Sequence, residues 1–368
     1  MIPLCVPQLR LNRFSAAVSE AVRSVLEGNQ FILGREVERF EHGFATYLGV
    51  RHCIGVNSGT DALVLALRAL GIGLGDEVIT VAMSFTATAM AVLHVGARPR
   101  FVDVDRDTRC IDLAQIETAI TPRTAAIVPV HLHGFPVDMI RLMAIARQHH
   151  LAVVEDCAQA HGATIAGCAV GSFGDLAAFS FYPTKNLGCA GDGGAVVTED
   201  PALAARVRAL RAYGWFDDRR ISYELGQNSR LDELQAAILN VLLPHLDESN
   251  RERAALAARY RRLLVDEDVR LAAENPGAVH HQFVISVPRR HALRSYLLEN
   301  AGIETGVHYP VPLHRQPLFA AHASSPLPVT DELARTMVSL PIQPEVAASQ
   351  VEHIAQSVRT GLAECKVS

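Results

Sequence analysis

Residues 52–71 read HCIGVNSGTDALVLALRALG, an apolar run that stops at a Ser-Gly-Thr turn and restarts with apolar residues at helical spacing. The first part has the length of a strand and the second that of a helix, with turn chemistry between them. Related runs recur downstream, at DEVITV (76–81), PRFVDV (99–104), TAAIVPV (124–130), LAVVED (151–156), LAAFSF (176–181) and GAVVTE (194–199). Helical patterns such as SFTATAMAVLHVG and VDMIRLMAIARQHH lie between several of them. Seven strands alternating with helices predict an α/β fold on a mostly parallel sheet covered on both faces. In such sheets ligands collect at the carboxyl ends of the strands.

Upstream, SAAVSEAVRSVLEG and REVERFEHGFATYLG have helical spacing and end in glycine, as amphipathic helices do. Beyond residue 200 the pattern turns helical, with PALAARVRALRAYG, LDELQAAILNVLL and ESNRERAALAARYRRLLVDE. A mixed region follows: strand HQFVISV (281–287), helix RRHALRSYLLENAG and a last helix near 345–363. A boundary at Pro244 divides the chain into a large domain, 1–245, and a smaller α+β domain, 246–368. The Pro-rich stretch HYPVPLHRQP (308–317) reads as an ordered loop, and no internal repeat is present.

Of 368 residues 49% are hydrophobic, enough for a large core, and 34 Lys+Arg stand against 39 Asp+Glu for a formal charge of -5. Without a basic excess or a basic run, nucleic-acid and membrane-surface binding are not expected. The start, MIPLCVPQLRLNR, has no leader pattern and no apolar run approaches bilayer length, so a soluble, cytoplasmic protein is expected. The seven cysteines (5, 53, 110, 157, 168, 189, 365) include no C-x-x-C pair and read as reduced, mostly buried thiols. Only Lys185 and Lys366 are lysines; the other 32 basic residues are arginines. An arginine keeps its proton, whereas an amine can lose it and attack a carbonyl. Arg-biased codon usage would account for the same count.

Three stretches carry chemistry. In VNSGTDAL (56–63), Ser58, Gly59 and Thr60 open a helix, where free N–H groups and the helix dipole seat an anion; the same letters also make an ordinary N-cap. VVEDCAQAHG (153–162) places Asp156 at the carboxyl end of an apolar strand, followed by Gln159 and His161. A carboxylate buried there needs a cationic or proton-bearing partner, unless it only caps a helix. In AFSFYPTKNLGCAGDGG (178–194), Ser180 and Tyr182 close a strand, Lys185 follows in a turn, and glycines let the backbone fold back. The stretch is not a Walker loop, has the wrong spacing for a Tyr-x-x-x-Lys pair and contains no S-x-x-K. An anion seat, a carboxylate and a lone amine on one sheet edge match the needs of pyridoxal phosphate.

NSGTDAL, FVDVD, VHLHG, VEDCAQAHGA, SFYPTKNLG, GQNSRLDELQAA and GIETGVHYPVPLH together resemble the DegT/StrS family of nucleotide-sugar aminotransferases, within the fold-type I pyridoxal phosphate enzymes. The resemblance runs in order over nearly the whole chain. It implies that Lys185 bonds the cofactor aldehyde, Asp156 partners the ring nitrogen and Gln159 contacts the ring hydroxyl. Gly59, Thr60 and Ser180, with Ser58 adjacent, correspond to the phosphate cradle, and Phe85 to the aromatic residue on the pyridine face. Asn228 corresponds to a residue reaching the phosphate from a partner subunit, which implies a homodimer with shared active sites. Tyr182, His308, Tyr309 and His314 fall where the sugar nucleotide binds.

The HYPxPxH wording is closest to members that aminate C-3. The implied reaction is transamination of a nucleotide-diphosphate-linked keto-deoxysugar, of the dTDP-3-keto-6-deoxyhexose kind, with glutamate as donor, 2-oxoglutarate released and pyridoxamine phosphate in the cycle. Amination at C-4 is the alternative within the reaction class. Relatives that dehydrate sugars carry His at the Schiff-base position, and Lys185 stands against that activity. A regulatory, non-catalytic member is the alternative from another class; the charge of -5 and the lack of a DNA-binding motif weigh against it. His133 stands where Tyr is commoner, and GQNSR departs from the usual aromatic-containing wording.

The pairs His131/His133, His149/His150 and His280/His281 lack a carboxylate or Cys at ligand spacing and read as strand-end, helix-end and surface residues, so no metal ligand is assigned. Asp103 and Asp105 read as caps of the following turn.

Overall fold

The structure, a computed structural model, describes residues 1–217, 219–265, 268–323, 325–346 and 348–367. Its main sheet has seven strands: β1 (His52–Val56), β2 (Glu77–Val81), β3 (Arg98–Val102), β4 (Thr124–Ile127), β5 (Ala152–Asp156), β6 (Leu176–Ser180) and β7 (Gly194–Thr198). The order across the sheet is β1-β7-β6-β5-β4-β2-β3. Pairing is parallel from β3 through β6, whereas β7 runs antiparallel to both β6 and β1. The α/β class and mostly parallel sheet are as expected; the reversed strand was not foreseen.

Successive residues feed two cores, as the pleat requires. Cys53, Ala177, Phe179, Ala195 and Val197 pack with Phe40 and Phe44 of helix Arg35–Leu48 and with helix Glu233–Leu242. Ile54, Val56, Ala178 and Val196 face the opposite core, under helix Gly59–Ala69. That helix is buried from Ala62 to Leu67, and so is apolar on every side.

Beyond the 3₁₀ turn Leu243–His245 runs an 18-residue helix, Leu246–Leu263. An antiparallel sheet follows, β8 (Arg270–Leu271), β9 (Phe283–Ser286) and β10 (Met337–Leu340), in that order. Tyr260, Phe283, Leu293, Val338 and Ile354 form its core. The chain start joins this region, because Ile2 bridges Ile303 in parallel. The Pro-rich stretch is ordered around the 3₁₀ turns Leu313–Arg315 and Pro317–His322.

Helix Pro328–Thr336 and β10 were not anticipated, and they correct the reading of Asp103. Asp105 does cap the following turn, accepting from the Asp107 and Thr108 N–H groups. The buried Asp103 carboxylate instead accepts from the Val329 and Thr330 N–H groups and the Thr330 hydroxyl, capping a helix 226–227 residues away. Asp103→Ala should therefore cost about 2 kcal/mol of unfolding free energy, because the Val104, Val329 and Thr330 N–H groups all lose their acceptor. Denaturant unfolding measures it, and a loss below 0.5 kcal/mol, on the scale of an ordinary surface change, would contradict the cap.

All seven cysteines are free thiols, and only Cys168 is exposed. Among the described residues no helix is long and apolar enough to cross a membrane.

Candidate active site

The carboxyl ends of β1, β2, β5 and β6 release four segments into one place. β1 leads into Ser58, whose hydroxyl accepts from the Asp61 N–H at 3.2 Å and starts helix Gly59–Ala69. β2 leads to Ser84 and Phe85, which opens helix Thr86–His94. β5 ends on Asp156 and β6 on Ser180. A Cβ on Gly59 would stand 2.5 Å from the Ser180 Cβ, so only glycine lets the turn lie against β6. The helix N-terminus and the Ser180 side chain thereby form one polar seat.

These segments enclose a cavity of about 470 Å³. Ser58, Gly59, Thr60 and Ser180 form one part of its wall, Asp156, Gln159 and Lys185 another, and Phe85, Tyr182, His308 and Tyr309 line the rest. The sequence reading missed Thr88, Asp192, His281 and Gln282, which also line it. A larger cavity, about 820 Å³, lies beside Asp138, Arg141 and Glu274, and none of the expected site residues borders it.

Asp156 is 5% exposed. Its Oδ2 accepts from the Thr88 hydroxyl at 2.8 Å and its Oδ1 from the Ala158 N–H at 3.2 Å. Burial raises its carboxyl above the ordinary range, opposed by these two bonds and by the Lys185 charge. Burial in turn pulls the Lys185 ammonium down to about 8, with Asp156 pulling the other way. At that value a useful fraction of the amine is unprotonated near neutral pH.

The turn that carries Lys185 is held from outside. The Arg10 guanidinium, on helix Pro7–Arg13, donates to the carbonyls of Pro183, Lys185, Asn186 and Gly188 at 2.5–3.2 Å. It binds only backbone oxygens, and no local motif marked it.

Gln159 accepts from the His133 N–H at 2.6 Å and donates to the Tyr309 hydroxyl at 2.9 Å. Tyr309 also lies 5.8 Å, centroid to centroid, from the half-exposed Phe85 ring. His308 meets Ser339 through Nδ1 at 2.7 Å, and burial followed by the Lys185 charge lowers its pKa to about 4.

Two expected residues do not line the cavity. His314 is buried, with its Nε2 3.1 Å from an Asp331 carboxylate oxygen. Asn228 is exposed, its Oδ1 accepting from Arg230 Nε at 2.9 Å.

The histidine pairs also need correction. His281 is 6% exposed and belongs to the cavity rather than the surface. His131 does meet a carboxylate and a thiol, since ligand atoms of His131, Glu155 and Cys157 lie within 4.8 Å of one another. Glu155, however, accepts from the Gly171, Phe173 and Gly174 N–H groups and faces His131 Nε2, while His131 Nδ1 accepts from the Val137 N–H. The His131 ring and the Glu155 carboxylate are thus engaged in bracing the loop after β5.

Residues 13–359 match the DegT/DnrJ/EryC1/StrS aminotransferase family. The chain belongs to this family. It is 48% identical over 344 residues to a UDP-N-acetyl-3-dehydro-alpha-D-glucosamine 3-aminotransferase of Acidithiobacillus ferrooxidans, covering 93% of this chain and 92% of that one. It is 47% identical over 350 residues to a dTDP-3-amino-3,4,6-trideoxy-alpha-D-glucose transaminase of Streptomyces venezuelae, covering 94% and 92% of the two chains. Among solved structures, NtdA of Bacillus subtilis with bound cofactor PMP superposes with a TM-score of 0.93 at 33% identity, over 98% of this chain and 85% of that one. Pyridoxal phosphate and its pyridoxamine form are thus the cofactor of the DegT/DnrJ/EryC1/StrS family, and the aminotransferase class and fold-type I architecture expected from the motifs are the family's own.

Proposed function

We propose that this member of the family is a pyridoxal phosphate-dependent aminotransferase that aminates C-3 of a nucleotide-diphosphate-linked 3-keto sugar. The observation that carries the reading is the union, in one cavity, of a free lysine amine, a buried carboxylate and a seat for an anion. Lys185 makes no hydrogen bond through its amine to the described residues, although it lies against a buried acid, and this suits a group kept for a covalent partner. The 3-amino and 3-dehydro sugars in the names of the two curated relatives support C-3 over C-4.

The cofactor, when bound, supplies an aldehyde to the amine and a ring that accepts an electron pair. Ser58, Gly59, Thr60 and Ser180 would hold its phosphate, Phe85 would cover one ring face, and Gln159 would meet the ring hydroxyl. Asp156 would keep a proton on the ring nitrogen, since a carboxylate and a cation buried together stabilise each other. Lys185, once freed, holds or moves a proton beside the substrate carbon. Tyr182, His308 and Tyr309 present hydroxyl and imidazole groups at the mouth, suited to a sugar or diphosphate. Glutamate is the proposed donor, which makes the kinetics ping-pong.

The proposed homodimer rests on the surface beside Asn228. Phe216, Ile221, Tyr223 and Leu225, in the segment leading to it, are all exposed, and the Phe216 and Tyr223 rings lie 6.2 Å apart. With its Oδ1 on Arg230, Asn228 has its amide N–H₂ free to donate outward. Asn228→Asp keeps the Arg230 contact but replaces that donor by an acceptor that a phosphate dianion repels. Mixed and reassembled, inactive Lys185→Ala and inactive Asn228→Asp chains should recover up to about a quarter of wild-type activity. Half the dimers are then mixed, and one of the two sites in each has both native residues. No recovery after demonstrated subunit exchange would confine each site to one chain.

The reaction itself is tested by supplying loaded enzyme and glutamate with nucleotide-linked 3-keto and 4-keto sugars and identifying products by mass and NMR. Amination of 4-keto sugars alone would move the reading to C-4, and no product with any sugar would favour a regulatory member.

A further inference from the structure

Asn186, the residue after Lys185, sits in a hydrogen-bond chain anchored at both ends on backbone carbonyls. Its Nδ2 donates to the Val279 carbonyl at 3.0 Å and to Asn250 Oδ1 at 2.8 Å, while Asn250 Nδ2 donates to the His161 carbonyl at 2.8 Å. A carbonyl oxygen can only accept, so both amide orientations are determined. Asn186 Oδ1, 3.1 Å from His281 Nδ1, is therefore an acceptor, and the imidazole must carry its proton on Nδ1. Nε2 is left with a lone pair. It bonds no group among the described residues and is not sealed in the interior, while His281 lines the same cavity as Lys185.

The surroundings keep this imidazole neutral. Burial, and then the charges of Lys185, Arg253, His308 and His161, hold its affinity for a second proton well below the ordinary value. The groups around Lys185 come from several elements: Asp156 from the end of β5, His161 beyond it, His308 and Tyr309 from the 308–309 loop, and Arg10, on the Lys185 carbonyl, from helix Pro7–Arg13. Arg10 is a cation and offers no lone pair. Asp156 takes one bond on each oxygen, from Thr88 and Ala158, and acts on the Lys185 ammonium through its charge. A buried ammonium without an acceptor is costly, and an imidazole locked in the accepting tautomer relieves that cost.

We propose that His281 is a positioning residue for Lys185: the amine makes no hydrogen bond to the described residues as the structure stands, and the Nε2 lone pair on the same cavity wall accepts one when the ammonium, freed of the cofactor, turns toward it. The proposal rests on the reading of Lys185 as the reactive amine. Asn186 acts one step further out, because its committed amide leaves His281 only one tautomer. The arrangement holds Nζ in place between the two half-reactions and keeps a proton on it for delivery.

The test uses the cofactor-free full chain. With Lys366→Arg in the background, Lys185 is the only lysine, so its ε-carbon label gives a single NMR titration curve. His281→Leu should raise the acid dissociation constant of Lys185 about tenfold, the worth of one charge-assisted hydrogen bond. His281→Gln can donate to Asn186 and still present an oxygen to the cavity, and should stay within about threefold of the parent. An unchanged constant in the Leu protein, or an equal shift in both variants, would overturn the proposal. A measurement on the unsubstituted protein does not depend on a variant folding. Its ¹⁵N-histidine spectrum, with His281 assigned from the Gln variant, should show Nδ1 protonated and an Nε2 signal that moves as Lys185 titrates. The opposite tautomer, or a stationary signal, would also overturn it. Borohydride reduction of the loaded protein reports separately on whether Lys185 is the reactive amine, so the two readings fail in different experiments.

Discussion

Lys185→Ala should abolish transamination, by at least about four orders of magnitude in kcat, while leaving the protein folded. No other amine of the described interior could replace it, because Lys366 is the only other lysine. The fold should tolerate the change for a specific reason. The Lys185 turn is held by its backbone carbonyls on Arg10, and those four bonds survive loss of the side chain. Loss of the ammonium also removes its desolvation cost, which already lowers its proton affinity. Steady-state kinetics and circular dichroism on the same preparation check both halves. In the parent enzyme, borohydride should fix the cofactor on the peptide carrying Lys185. A reduced adduct on another residue, or an Ala variant that still turns over at a tenth of the parent rate, would sink the assignment.

Asp156→Asn should lower kcat by about a thousandfold with the cofactor still bound, comparable to or greater than removal of a single preorganised stabilising group in other enzymes. The carboxylate contributes charge, and the amide that replaces it cannot hold a proton on a ring nitrogen. Its neighbours can absorb the exchange. Thr88 Oγ1 lies 2.7 Å from Ser84 Oγ, and either hydroxyl can be the donor, so Thr88 can turn to accept from the new amide while donating to Ser84. The anion seat at Ser58, Gly59, Thr60 and Ser180 does not involve Asp156, so retention and catalysis should separate. Bound cofactor is read by absorbance and turnover by product formation. Near-parental turnover in a folded, loaded Asn variant would remove Asp156 from the chemistry.

The fold class was legible because it is written in local periodicity. Each strand of the main sheet is a short apolar run followed by turn residues, and the runs matched the observed strands to within one or two residues at most ends. The TAAIVPV run overshot, since the ladder of β4 stops at Ile127 and only Val130 bridges onward to Asp156. Lys185, Asp156 and Ser58 to Thr60 were also legible. Each sits at the end of an apolar strand or shortly past it, and the carboxyl ends of parallel strands fall on one edge. Strand direction was not: nothing in GAVVTE says that β7 runs against its neighbours, because side-chain alternation is the same in either direction.

What only the tertiary structure decided are the contacts between residues far apart in sequence. His281 and Asn186 are 95 positions apart, and Arg10 is 173–178 from the carbonyls it holds. An isolated histidine pair or arginine has no local period to mark it, and its partners are mostly backbone atoms, which every residue carries. The same reason separated Asp103 from the helix it caps, and placed His314 against Asp331 instead of the cavity. From the sequence alone come the sheet, its ligand-bearing edge and the single interior lysine proposed as the reactive amine. The neutral imidazoles, the lowered proton affinity of Lys185 and the raised one of Asp156 come from burial, which exists only once the chain has closed around them.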